Sequence, residues 1–168
     1  MAHRKLQRSK LKNIKLLLLD VDGVMTDGGV YIAESGDRFK KFNIQDGYGI
    51  VKLQRTGVRV GIITGGNSKM VQRRAEELGI ADVYQNFDDK MTAYEQVKKK
   101  YNLRDEEIAH VGDDDLDLPV LKRVGFSAAP ADAIPEVRKQ VHFVSKRRGG
   151  EGAVREVIEV LLQGRGNG

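Results

Sequence analysis

IKLLLLDVDG, residues 14–23, passes directly from an apolar run to two acids and a glycine. A short apolar run closed by turn residues reads as a strand buried on both faces, and such strands belong to parallel sheets. The same grammar returns twice. Val58 to Ile63 (VRVGII) runs into Thr64-Gly65-Gly66, and Ile108 to Val111 (IAHV) runs into Gly112-Asp113-Asp114. Between these runs, Tyr48 to Arg55, Lys69 to Leu78 and Met91 to Tyr101 carry apolar residues at helical spacing. Further short strands are expected at Val83–Tyr84, Phe126–Ala129 and His142–Val144, with a last amphipathic helix at Ala153–Leu162. Alternating strands and helices predict an α/β fold: a single Rossmann-like parallel sheet with helices on both faces. Residues 29–43 break the alternation. Two extended stretches joined by Glu34-Ser35-Gly36-Asp37 read as a projecting β-hairpin.

The bulk properties narrow the function. The 168 residues suit one domain. Expected boundaries are a basic flexible leader over 1–13, the folded unit over 14–162 and a flexible end over 163–168. No apolar run approaches the roughly 20 residues of a membrane span, and no signal pattern opens the chain, so a cytoplasmic protein is expected. The absence of cysteine excludes disulfides, thiolate metal sites and cysteine nucleophiles. The formal charge of +5 is uneven: the first 15 residues hold six bases and no acid, which leaves −1 for the rest. A solvated leader accounts for that, and binding of a phosphate backbone by the leader is the alternative. The near-neutral body speaks against nucleic acid as the partner.

In parallel sheets ligands bind beyond the carboxyl ends of the strands. That rule draws Asp20, Asp22, Thr64, Asp113, Asp114 and Asp117 toward one crevice. Crowded carboxylates repel one another unless a cation lies among them, and oxygen ligands alone favour a hard ion, magnesium first. Each motif has a plainer reading alone: DVDG can be an acidic turn, Thr64-Gly65-Gly66 can simply turn the chain, and Lys90 can be a solvated lysine. An EF-hand loop does not fit, since its glycine comes sixth and follows a helix.

Together the motifs are far more specific. DVDGVMT after a strand, TGG after a strand, Lys90 at a helix start and GDDDLD after a strand resemble, in order, the four motifs of haloacid dehalogenase-type phosphatases. DVDGVMTDGGVYI, FNIQDGYGI, RRAEELGI, VGDDDLDLPVLKRVG and KRRGGEGAVREV are similar to the 3-deoxy-D-manno-octulosonate 8-phosphate phosphatase family, over about residues 14–162. The resemblance implies a magnesium-dependent phosphomonoesterase of lipopolysaccharide precursor synthesis that acts on a small sugar-acid phosphate. It implies Asp20 as nucleophile, Asp22 as acid and base, and Lys90 as partner of Asp20 and the phosphate. Thr64 and Gly65 would bind phosphate, the hydroxyl and amides standing at a helix start, while Arg74, Arg147 and Arg148 would contact substrate. Magnesium would be held by Asp20, the Asp22 carbonyl and Asp113, supported by Asp114 and Asp117; Asp115 is left on the surface.

The family resemblance also implies a homotetramer without a cap domain, since hairpin and helices already fill the intervals between the motifs. In such tetramers the hairpins assemble together and a basic, glycine-rich tail reaches a neighbour's site, so Lys146–Gly152 is expected to be mobile. Gly66 departs from the pattern, which often carries a charged residue there. The rivals are a nine-carbon sugar-acid 9-phosphate phosphatase and a non-catalytic phosphatase-like oligomerisation module.

Overall fold

The computed structural model describes residues 8–166. Its eight strands are β1 (Leu16–Leu19), β2 (Tyr31–Ile32), β3 (Arg38–Phe39), β4 (Arg59–Ile63), β5 (Asp82–Tyr84), β6 (Ile108–Val111), β7 (Phe126–Ala129) and β8 (Phe143–Val144). The six helices are α1 (Ile44–Gln54), α2 (Lys69–Glu77), α3 (Lys90–Lys100), α4 (Leu118–Arg123), α5 (Pro135–Gln140) and α6 (Ala153–Gly164). Six strands form one parallel sheet in the order β5-β4-β1-β6-β7-β8, and β2 and β3 pair separately as the projecting hairpin.

β1 lies at the centre because all four of its leucines are buried. Leu17 and Leu19 enter the core shared with α1, α2 and α6, while Leu16 and Leu18 enter the opposite core with α3 and α4. Side chains of a strand alternate between faces, so an unbroken leucine run demands cover on both. The register then sets the site. Leu19 aligns with Ile62 of β4 on one side and with Val111 of β6 on the other. The polar residues that follow each strand therefore emerge at one edge, where the chain order reverses.

Helix α1 begins four residues before the apolar pattern suggests. Asn43 caps it, its side chain accepting from the Gln45 and Asp46 amides at 2.8 and 3.1 Å. α4 and α5, absent from the sequence reading, are six residues each, with a proline second in α4 (Pro119) and first in α5 (Pro135). Six residues are too few to show a helical period. Both flexible ends also need correction. Arg8–Asn13 form a 3-10 helix with Leu11 buried in the core beside α6, and Arg165 donates to the carbonyls of Lys12 and Ile14. Residues 1–7 of the leader and 167–168 lie outside the described residues.

One buried acid ties α1 to α6 and carries a pH dependence. Asp46 accepts from the Arg155 amide at 2.8 Å, in the first turn of α6, and its other oxygen has no partner. Burial pushes its carboxyl up to about 6. The folded chain thus holds this proton more tightly than the unfolded chain, and the group's contribution to stability improves as pH falls from about 6 towards 4 and is least favourable above 6. Asp46→Asn keeps the acceptor and removes the charge. It is expected to raise stability at pH 8 by roughly 1–3 kcal/mol and to have little effect at pH 4. Urea unfolding of both proteins at the two pH values reads the difference, and an equal effect at both contradicts it.

Candidate active site

Asp20 directly follows β1, and its amide still bonds to the Val111 carbonyl at 3.1 Å, so β6 fixes its position. The chain then folds back sharply, the Val21 carbonyl accepting from the amides of Val24, Met25 and Thr26. Gly23 stands in the left-handed region at φ +83°, and a β-carbon there would lie 2.0 Å from Asp113 Oδ2. Only glycine lets this turn and the β6 loop approach so closely.

Lys90 opens α3 and is buried. Its ammonium lies 2.9 Å from Asp20 Oδ1 and 2.7 Å from Asp117 Oδ1. Burial pulls its pKa down, but the two carboxylates outweigh that and hold it above the usual lysine value. Asp117 is wholly buried and saturated. Oδ1 also meets His110 Nε2 at 2.9 Å, and Oδ2 takes the amides of Asp113 and Asp114 at 3.1 and 3.4 Å. Burial opposes its ionisation, yet His110 and Lys90 hold it well below the ordinary carboxylate range. It therefore anchors Lys90 and the β6 loop.

Asp20 and Asp113 are in the opposite condition. Burial first, then the charge of Asp117, raises Asp20 above its usual value against the pull of Lys90. Burial, Asp20 and Asp117 raise Asp113 strongly. Asp113 Oδ1 is buried with no hydrogen-bond partner. Oxygens of Asp20, Asp113 and Asp117 lie within 4.8 Å of one another. An orphaned oxygen among crowded carboxylates is what a hard divalent cation satisfies, so the residues fit magnesium.

These groups line a cleft of about 260 Å³ together with Asp22, Thr64, Gly65, Gly66, Asp88, Asp114 and Leu116. Thr64 is buried, and its hydroxyl accepts from the Gly66 amide at 3.3 Å. Asp22 is exposed and pairs with Lys40 of the hairpin. Asp115 is exposed, as the sequence suggests.

Other expectations are corrected. The Thr64–Gly66 loop is not a helix start, because α2 begins at Lys69 with Ser68 as its cap. The Asp114 carboxylate caps a 3-10 turn, taking the Asp115 amide at 2.7 Å, and is not one of the three acids whose oxygens cluster. Arg74 does not line the cleft. It pairs with Glu77, donates to the Asn43 carbonyl and lies over the Phe42 ring. Arg147 and Arg148 are exposed outside the cleft, with Arg148 paired to Asp132. The glycines after them are not mobile. Gly149 and Gly150 are buried against the turn at Gly23 to Asp27, where a β-carbon on Gly149 would meet the Gly23 carbonyl oxygen at 1.8 Å. Sequence reasoning missed His110, which bridges the Leu18 carbonyl and Asp117. A titratable residue inside the apolar run IAHV was the available signal.

Comparison with known proteins agrees with this geometry. Residues 74–158 match the haloacid dehalogenase-like hydrolase family. The chain is 45% identical over 150 residues to 3-deoxy-D-manno-octulosonate 8-phosphate phosphatase of Yersinia pestis, covering 89% of this chain and 80% of that one. The Escherichia coli K12 enzyme of the same name is 43% identical over 158 residues, with 94% and 84% covered. The crystal structure of the Yersinia pestis enzyme superposes with a TM-score of 0.93 at 42% identity, covering 95% and 86%. The Moraxella catarrhalis enzyme, solved with magnesium, phosphate and the sugar acid, gives 0.92 at 39% identity, covering 95% and 92%. By sequence, fold and the order of its motifs, the chain belongs to the haloacid dehalogenase-like hydrolases and, among them, to the 3-deoxy-D-manno-octulosonate 8-phosphate phosphatase family.

Proposed function

We propose that this chain hydrolyses 3-deoxy-D-manno-octulosonate 8-phosphate to the free sugar acid and phosphate, with Asp20 as the covalent nucleophile. The observation that carries the reading is the buried, unpartnered Asp113 oxygen beside the Lys90-held carboxylate of Asp20. The relatives' shared activity and the sugar acid held by the Moraxella catarrhalis enzyme support the substrate.

Asp20 attacks phosphorus through one carboxylate oxygen, and the bond from phosphorus to the sugar oxygen breaks. Asp22, on the exposed side of the turn, gives its proton to the departing oxygen. Water then attacks the aspartyl-phosphate at phosphorus, Asp22 takes the proton from that water, and the Asp20 carboxylate is restored. Lys90 keeps Asp20 oriented, and Thr64 with the amides of Gly65 and Gly66 takes phosphoryl oxygens. Asp20, the Asp22 carbonyl and Asp113 would hold magnesium, which supplies positive charge against the phosphoryl oxygens when bound.

The chain is proposed to act in the cytoplasm as a tetramer, with residues 14–162 as the catalytic unit. No helix among the described residues is long and apolar enough to cross a membrane. Val30, Ile32 and Phe39 of the hairpin, with Ile44 and Tyr48 of α1, expose a large apolar surface, which supports assembly through the hairpins. Arg74 is proposed to orient the start of α1, and Arg147 and Arg148 to reach substrate only from a neighbouring copy.

A panel of eight- and nine-carbon sugar-acid phosphates, assayed with magnesium and with excess chelator, tests the reading. The expected result is phosphate release that chelation abolishes, with kcat/KM at least about tenfold higher for the eight-carbon ester. The reverse preference would make the nine-carbon acid the substrate, and no release from any ester would end the phosphatase reading.

A further inference from the structure

His110 stands within β6, aligned with Leu18 of β1, and is wholly shielded from solvent. It shares its face of the strand with Ile108, whose side chain packs in the core built with α3 and α4. An apolar residue would fill that place without desolvating a polar ring, whereas a buried imidazole is tolerated only when its nitrogens are bonded. Both nitrogens have partners: Nδ1 lies 3.2 Å from the Leu18 carbonyl oxygen, and Nε2 lies 2.9 Å from Asp117 Oδ1. Each partner accepts, so the ring donates from both sides.

These bonds close a circuit. It runs from Leu18 through His110 to Asp117, from the same Asp117 oxygen to Lys90 at 2.7 Å, and from Lys90 to Asp20 at 2.9 Å. Asp20 lies two residues beyond Leu18, so the circuit begins and ends at one stretch of chain. All four of its side chains are buried. We infer that His110 is a positioning residue for the phosphoryl transfer: it ties Asp117 Oδ1 to β1, and through that oxygen it sets the place of the Lys90 ammonium that orients the nucleophile. The inference rests on the phosphatase reading above. Asp117 Oδ2 is taken by the amides of Asp113 and Asp114, while Oδ1 is shared by His110 and Lys90. Without a donor from His110, Oδ1 draws the ammonium to itself, and Asp20 loses its alignment. His110 lines no part of the cleft, so the loss falls on turnover and not on affinity.

Two polar substitutions separate the two bonds. In His110→Gln the side-chain amide extends as far as Nε2 did and still donates to Asp117. In His110→Asn the amide ends near the place of Nδ1 and serves Leu18 alone. Both are assayed with magnesium on the eight-carbon sugar-acid phosphate, and urea unfolding checks that each is folded. His110→Asn is expected to lower kcat about tenfold or more while KM changes less than about twofold. His110→Gln is expected to keep kcat within about threefold of the unaltered enzyme. A residue that only fills the core would not tell these two amides apart. Equal kcat values for the two variants, or a loss carried by KM, overturn the positioning role while leaving the phosphatase reading intact. Failure of His110→Gln to fold overturns it as well, since His110 would then serve packing alone. Should only His110→Asn fail to fold, His110→Gln decides: kcat within about threefold supports the role, and a larger loss overturns it. No phosphate release by the unaltered enzyme overturns both readings.

Discussion

Asp20→Asn is expected to lower kcat by at least about 10⁴-fold while leaving the fold in place. Asparagine matches aspartate in shape, and its amide oxygen can still accept from Lys90. It is, however, a poor nucleophile, and the covalent route is closed. Removing one negative charge also relieves Asp113, whose carboxyl is pushed up partly by Asp20. The melting temperature in the absence of metal should therefore be no lower than that of the unaltered protein. Phosphate release at a tenth of the normal rate would remove Asp20 from the nucleophile role.

Lys90→Met is expected to damage both activity and stability. Methionine fills nearly the same volume, so the loss is one of charge. Lys90 is the ammonium that holds both Asp20 and Asp117, at 2.9 and 2.7 Å, with all three side chains buried. Taking one partner from a buried ionic network leaves uncompensated charge and costs about 3–5 kcal/mol. Turnover should fall on the order of 10³-fold, because Asp20 loses both its orientation and a neighbour for the phosphoryl charge. Urea unfolding and phosphate release measure the two effects. A midpoint within experimental error of the unaltered protein would contradict the role given to this lysine.

The central sheet was readable from sequence because its strands are short apolar runs that stop abruptly at polar residues. Leu16 to Leu19 can be satisfied only by cover on both faces, and Asp20, Thr64 and Asp113 follow from where such runs stop. Lys90 was readable through the order of the motifs and not through its own surroundings, since nothing local marks a lysine at a helix start as buried. The start of α1 was obscured because Gly47 and Gly49 dilute its apolar period and exposed Ile44 adds a false apolar position. Gly149 and Gly150 were misread for a different reason. Glycine serves both flexible segments and close backbone contacts, and one dimension cannot separate the two. Partners distant in sequence were not legible: nothing local pairs Lys40 with Asp22, and the histidine inside IAHV marks a buried polar group without naming Leu18 or Asp117 as what it meets.

The covalent step is the most direct point of test. The enzyme is mixed with 3-deoxy-D-manno-octulosonate 8-phosphate and magnesium, quenched during turnover and treated with borohydride, which reduces an acyl phosphate to an alcohol. Peptide mass spectrometry then finds the reduced residue. The account predicts homoserine at position 20 and at no other aspartate, absent when chelator replaces magnesium. Turnover with no reduced residue, or with reduction at Asp22 or Asp113 instead, would contradict it.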